Sequence, residues 1–338
     1  MMLFQNILCI LSYLILIVLT CNLFVNSIEH LGKKLNLGDS ATGSILAAVG
    51  TALPETILPL VAILTAGNSL KDGVEIGTGA ILGSPFLLST FALFISGICF
   101  VVFNRAKITD FLNLNAKNFR RDYKYFTAAY FTVFLLSFVK VKAIKITIGI
   151  LLIFYWIFYA IRTIAETESA NEEKINPLYL GFFKKGCESL LLITIQTGIS
   201  LILLVIFSKL FISEVQYFSV LTSVNPLIVS ILLSPVATEL PEITNCIIWI
   251  KNKKDSLAIS NITGAMVYQA SICTAIGLIF TDWVLNINAC INVFCTLIAA
   301  LSVFILTGIS KKISAITLIS TFIWYFLFIL LNYAVSLR

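Results

Sequence analysis

The chain has 338 residues, 59% hydrophobic and only 12% charged, with a mean hydropathy of +1.00 and a formal net charge of +6. Soluble domains carry about 25% charged residues, so this mixture cannot build a water-facing surface and lipid is the solvent for most of the chain. The positive charge is spread over short loops and calls for no nucleic-acid partner.

In chain order, ten apolar stretches approach the roughly 20 residues that a helix needs to cross a bilayer. They cover about 3–27, 41–65, 74–103, 123–139, 143–161, 188–212, 226–250, 256–280, 283–308 and 313–336. None alternates in the manner of a barrel strand. The first has no basic leader and too long an apolar run for a signal peptide, so it is expected to stay as a helix. The fourth and fifth are separated by Lys140, Lys142 and Lys145.

With ten helices the loops alternate between two sides. One side holds 6 of the 23 Lys and Arg residues (Lys71, Lys140, Lys142, Lys145, Lys209 and Arg338), and the other holds 17. The basic side is expected in the cytoplasm, with both termini outside and the cell membrane as the location. The eight cysteines lie in or at the edge of apolar runs and form no CxxC pair, and His30 is the single histidine. They predict buried small residues rather than disulfides or a zinc site.

The most polar interval between apolar runs is Arg162 to Glu188, with Glu166, Glu168, Glu172 and Glu173. It divides the chain into a first five-helix repeat (1–165), a cytoplasmic linker (166–187) and a second five-helix repeat (188–338). The expected fold is an all-α integral membrane protein: ten transmembrane helices as two inverted five-helix repeats. Short echoes support the repeat. Gly50-Thr51-Ala52-Leu53-Pro54-Glu55 matches Ala237-Thr238-Glu239-Leu240-Pro241-Glu242 at an offset of 187. Gly79 to Ser84 matches Ser260 to Ala265 at an offset of 181.

Of the 17 acidic residues, Glu55, Glu239 and Glu242 fall deep in apolar runs, and no Lys or Arg joins them there. A buried carboxylate costs several kcal/mol unless a proton, a cation or water compensates it. Pro54 and Pro241 each precede one of these acids. Each removes a backbone N–H, freeing the carbonyls of Gly50 and Ala237. With the hydroxyls of Thr51 and Thr238, the broken helices predict a site for a hard cation. The glycines around Gly79 and Gly83 suit close helix packing, and Ser84 is a further candidate ligand.

At these residues the chain resembles the cation/calcium exchanger superfamily, the sodium/calcium antiporters. That family pairs a Gly/Ala-Thr-Ser-x-Pro-Glu-type motif with a Gly-Ser-Asn-x-x-Asn/Asp-type motif in each of two inverted repeats. The resemblance implies that Glu55 and Glu242 form a central Ca²⁺ site, that carbonyls near Thr51 and Thr238 bind Na⁺, and that the first helix of each half slides as a gate. It departs at the second motif, where Leu88 and Gln269 stand for Asn or Asp and Ala265 stands opposite Ser84. Glu239 is an extra acid three residues before Glu242, on a similar face if the helix holds.

The resulting expectation is a secondary antiporter, not an enzyme, exchanging a divalent cation, Ca²⁺ first, for Na⁺ by alternating access. A proton-coupled or Mg²⁺/Mn²⁺ carrier of the same fold and a non-transporting relative are the rivals. An intramembrane enzyme would want paired histidines or a nucleophile. The expected ligands are Glu55, Glu242, Thr51, Thr238, Glu239, Ser84, Gln269, Gly50 and Ala237. No cofactor is expected, and the expected partners are small inorganic cations and the lipid bilayer.

Overall fold

The computed structural model describes residues 2–34, 52–65, 70–114, 116–166, 177–180, 189–310 and 312–336. The first half contributes α1 (Met2–Lys34), α2 (Leu53–Thr65), α3 (Leu70–Leu87), α4 (Leu93–Asn104), α5 (Ala116–Leu136) and α6 (Lys142–Glu166). The second contributes α7 (Leu190–Thr222), α8 (Pro226–Thr238), α9 (Leu240–Lys251), α10 (Asp255–Tyr268), α11 (Thr274–Phe280), α12 (Ile287–Ser310), α13 (Ala315–Ile319) and α14 (Phe322–Ser336). Among the described residues there is no strand; a single bridge pairs Phe111 with Ser314.

Seven continuous helical segments are long and apolar enough to cross a membrane, and α8 with α9, bent by 41°, makes an eighth. The other two apolar stretches read from the sequence correspond to α2, whose preceding residues lie outside the described part, and to α5. In α5 the first nine residues carry Lys117, Arg120, Arg121, Asp122 and Lys124, so only its later turns are apolar.

Two helices do not end where composition predicts. Lys209 reads as a loop residue, but α7 runs on to Thr222 with Lys209 inside it. Lys142 and Lys145 read as loop charges as well. Both lie in the first turn of α6 and donate to carbonyls at the end of α11: Lys142 to Leu278 and Thr281, Lys145 to Asp282 and Trp283. Carbonyls there have no partner within their own helix, and cations near them are favoured.

The packing brings the two halves together. α1 lies along α7 and α3 along α8. α2 touches α3 and α7, while α9 touches α4 and α10. The crossing of α3 with α8 is close because Gly79 and Gly83 face it. A Cβ on Gly79 would sit 2.7 Å from the Leu227 carbonyl, and one on Gly83 would sit 2.5 Å from that of Ile231. Ser230 of α8 donates to the Ile76 carbonyl at 2.6 Å across the same contact. With no hydrophobic drive between helices in lipid, such small-residue contacts hold spans together.

Two apolar clusters form. The smaller joins α1, α2, α3, α7 and α8 through residues such as Ile17, Leu58, Ile76 and Phe211, and the larger fills the rest. Polar pairs also fasten α1 to α7 near both ends. Asn6 donates to Glu214 at 2.6 Å, and Gln196 donates to Asn26 at 3.0 Å.

Two spans contain a widened π turn, at Leu88–Ala92 between α3 and α4 and at Gln269–Cys273 between α10 and α11. Their first residues are 181 positions apart, the offset at which the sequence repeats around Gly83 and Gly264. The positions that open them are those where Leu88 and Gln269 depart from the resembled motif. Such turns concentrate at functional sites. Across the halves, Thr321 donates to the Thr90 carbonyl inside the first of them at 2.7 Å. Around the Phe111–Ser314 bridge, Leu112 donates to Ile313, and Ala315 donates back to Asp110.

Candidate cation site

Three half-helices meet beside the crossing of α3 and α8. Pro54 and Glu55 lie in the first turn of α2, and Pro241 and Glu242 in the first turn of α9. Proline is tolerated at such starts because the first N–H groups have no helical partner. The same missing N–H leaves the Ala237 carbonyl without its usual donor four residues on. Helix α8 therefore ends at Thr238, and Glu239 (φ −95°, ψ −3°) is the single residue at the joint. Its N–H bonds back to Pro235 at 2.8 Å and its carbonyl accepts from Ile243 at 3.0 Å.

The break thus falls before α9, with Glu239 at the head of that helix, and Glu239 and Glu242 come together. Glu55, Glu239 and Glu242 are only 3%, 0% and 4% exposed. One carboxylate oxygen from each lies within 4.8 Å of the others. Among the described residues no Lys, Arg or His forms an ion pair with any of them; the described pair, Arg121 with Asp122, lies elsewhere. The N-terminal ends of α2 and α9 fall at Glu55 and Glu242.

Neutral oxygens complete the set. Gln269, at the start of the second π turn, donates its amide to Glu239 at 2.9 Å. Thr238 donates to the other oxygen of Glu239 at 3.1 Å. The Ser84 and Thr238 hydroxyls are 3.5 Å apart. Glu55 Oε2, Glu242 Oε2 and Gln269 Oε1 are buried acceptors with no hydrogen-bond donor. An all-oxygen cluster with surplus acceptors fits a hard cation, which supplies positive charge to oxygens that have no N–H or O–H to meet.

Of the residues expected from sequence, Glu55, Glu239, Glu242, Thr238, Ser84 and Gln269 are gathered here. Ala237 lies in the last turn of α8 beside them. Gly50 and Thr51 lie outside the described residues. Leu88 is buried in the larger apolar cluster and offers no ligand atom.

The sequence reading missed a cavity of about 530 Å³ that begins at Glu55, Glu242 and Gln269 and extends to Asn118, Arg121 and Asp122. Tyr268 and Tyr159 also line it. Tyr268 and Thr56 share a hydrogen bond of 2.8 Å one residue from Glu55. Asp122 is buried and accepts from Arg121 at 3.0 Å and from Thr263 at 2.8 Å. Its place one residue before the apolar stretch that begins at 123 made it read as a loop charge.

With this geometry in hand, three comparisons bear on the whole chain. The chain is similar in fold to the crystal structure of the H⁺/Ca²⁺ exchanger CAX, with a TM-score of 0.75 and 16% identity over 96% of this chain and 81% of that one. It is also similar to the sodium-calcium exchanger NCX_Mj soaked with zero Na⁺ and Ca²⁺, with a TM-score of 0.55 and 18% identity over 99% of this chain and all of that one. The same exchanger soaked with 2.5 mM Na⁺ and 10 mM Sr²⁺ gives a TM-score of 0.57 and 19% identity over 97% and 98% of the two chains. No curated protein sequence matches the chain. The profile of the sodium/calcium exchanger protein family matches residues 5–165 and 192–334, which together span nearly its whole length and both halves. This chain belongs to the sodium/calcium exchanger protein family.

Proposed function

We propose that this protein is a secondary antiporter that binds Ca²⁺ between Glu55, Glu239 and Glu242 and exchanges it for Na⁺ by alternating access. The observation that carries the reading is three buried carboxylates with oxygens within 4.8 Å of one another and no basic partner among the described residues. Such a cluster repels itself unless positive charge enters it. One divalent ion, or a smaller number of monovalent ions, meets that need, so the two kinds of cargo compete for one set of oxygens.

The architecture in this reading is ten spans in two inverted sets of five, with both termini outside and the basic loops in the cytoplasm of a cell-membrane protein. The 181-residue spacing of the π turns and the packing of α1 on α7 and α3 on α8 support it. The cavity then leads from the carboxylates toward the basic, cytoplasmic face. The gate is the pair α1 and α7, which lie along each other and share with α2, α3 and α8 an apolar cluster apart from the main one.

One observation favours a second reading, with H⁺ as the counter-ion. Leu88 brings no oxygen where the resembled motif has one, so a neutral ligand for Na⁺ is lost, while a third carboxylate, Glu239, adds a proton acceptor. Uptake of ⁴⁵Ca²⁺ into proteoliposomes under imposed Na⁺, K⁺ and H⁺ gradients in turn decides between them. Uptake driven by Na⁺ alone upholds the first reading and uptake driven by H⁺ alone the second. No uptake under any gradient refutes both.

A further inference from the structure

The cavity that starts at the carboxylates also holds a pair of opposite charges. Among its described lining residues Arg121 alone is basic, and Asp122 stands next to it in the chain and in the wall. Arg121 also borders a second pocket, lined by Lys117, Arg120, Lys124 and Arg162. This part of the cavity therefore lies beside a concentration of positive charge, and a cation bound for three buried acids must pass it.

Asp122 is fixed from two sides. Its Oδ1 accepts from Arg121 Nε at 3.1 Å and from Arg121 Nη2 at 3.0 Å, and its Oδ2 accepts from Thr263 of α10 at 2.8 Å. The Asp122 side chain is 2% exposed and that of Arg121 13%. The Arg121 guanidinium lies over the ring of Tyr159, another residue of the cavity wall, at 5.6 Å. The contact with Thr263 ties α5 to α10 through a hydroxyl, and an uncharged side chain could make that tie as well. The two full charges call for a reason of their own.

Coulomb interaction supplies it. Between low-dielectric walls a unit charge acts strongly on an ion in the same cavity. Arg121 without its acid would repel every entering cation. Asp122 without its arginine would hold the cation short of the cluster. Together they cancel, and the cavity neither bars the ion nor traps it.

We propose that the Arg121–Asp122 pair sets how readily cations travel between the carboxylate cluster and the basic face, by keeping the cavity wall near zero net charge. The proposal rests on the exchange reading and assigns a role in it to two residues outside the cluster. Both are positioning residues: they act on the ion in transit through balanced charge.

The test measures initial rates of ⁴⁵Ca²⁺ uptake into proteoliposomes across a range of Ca²⁺ concentrations. Asp122→Asn keeps the shape and leaves Arg121 uncancelled. It is expected to raise the half-saturating Ca²⁺ on the order of tenfold with the maximal rate kept, and added choline chloride should shrink the difference. Arg121→Gln should act in the opposite sense, lowering both the half-saturating concentration and the maximal rate severalfold. The double variant Arg121→Gln with Asp122→Asn restores neutrality and should return to within about threefold of the parent, a coupling that a purely structural pair would not show.

Uptake by the parent with unchanged kinetics in both single variants would overturn this proposal alone. So would a double variant at least as impaired as Asp122→Asn. No uptake by the parent would overturn it together with the exchange reading. Should Asp122→Asn fail to reach the membrane, Arg121→Gln decides by itself, and an unmoved half-saturating concentration in that variant refutes the role.

Discussion

Each of the three buried acids has its own support. Glu55 and Glu242 sit at helix starts, whereas Glu239 sits at the joint and is tied to Thr238 and Gln269. Glu55→Gln or Glu242→Gln keeps the shape and removes a charge and an acceptor. Each is expected to lower ⁴⁵Ca²⁺ uptake on the order of 100-fold or more while the protein still reaches the membrane. Gln269→Leu removes the amide that orients Glu239 together with an unpaired carbonyl oxygen at the site. It should weaken apparent Ca²⁺ affinity at least about 10–100-fold, the usual loss when a group that orients a ligand is removed. Normal uptake in either glutamate variant would remove the site's basis. Glu55 and Glu242 were legible in the sequence because they are acids in apolar runs with a proline before each. The spacing of Glu239 from Glu242 was legible too, but the break at Glu239, beside which Thr238 and Gln269 reach its carboxylate, has no periodic signal. Asp122 was missed for a related reason. Its burial comes from Thr263 and Arg121, and the first of these lies 141 residues away in the chain.

Prolines and glycines set the geometry of the helical elements. Pro241→Ala would supply the N–H that Ala237 lacks and let α8 and α9 approach one continuous helix. The expected result is a more heat-stable protein with less transport, seen as a higher melting temperature beside a lower initial rate. Gly83→Ala works in the opposite sense. Its Cβ would meet the Ile231 carbonyl at 2.5 Å and the Pro235 ring at 2.7 Å, forcing α3 away from α8. A loss of about 1–3 kcal/mol is expected from overpacking of this kind, measured by thermal unfolding in detergent. The existence of the spans was plain from hydropathy, since a run of 20 apolar residues has few alternatives. Their ends were harder. The apolar stretch closes at 212, yet α7 continues past Glu214, where Asn6 of α1 holds it, to Thr222. Lys142 and Lys145 read as solvent charges because their carbonyl partners, at and just beyond the end of α11, are 136 to 139 residues distant.

For the molecule as a whole, α1 and α7 behave as one piece in the proposed gate. They lie along each other and are fastened to each other near both ends. A bifunctional thiol reagent joining Asn6→Cys to Glu214→Cys in a cysteine-free background should therefore leave exchange intact. Loss of uptake on joining, restored by a cleavable reagent, would show that the two helices slide past each other instead. The presence of two repeats was readable from two short echoes, but which helix meets which was not. That pairing depends on contacts between residues nearly 200 apart, and no local pattern encodes them.

The small antiparallel contact around Phe111 and Ser314, together with the bond from Thr321 to Thr90, joins the two halves of the polypeptide through residues that all lie outside 166–187. Severing the backbone within 166–187 consequently leaves these attachments in place. Two separately translated fragments, 1–165 and 188–338, should find each other in the same bilayer and co-purify, and a tag on one should recover the other at close to equal amounts.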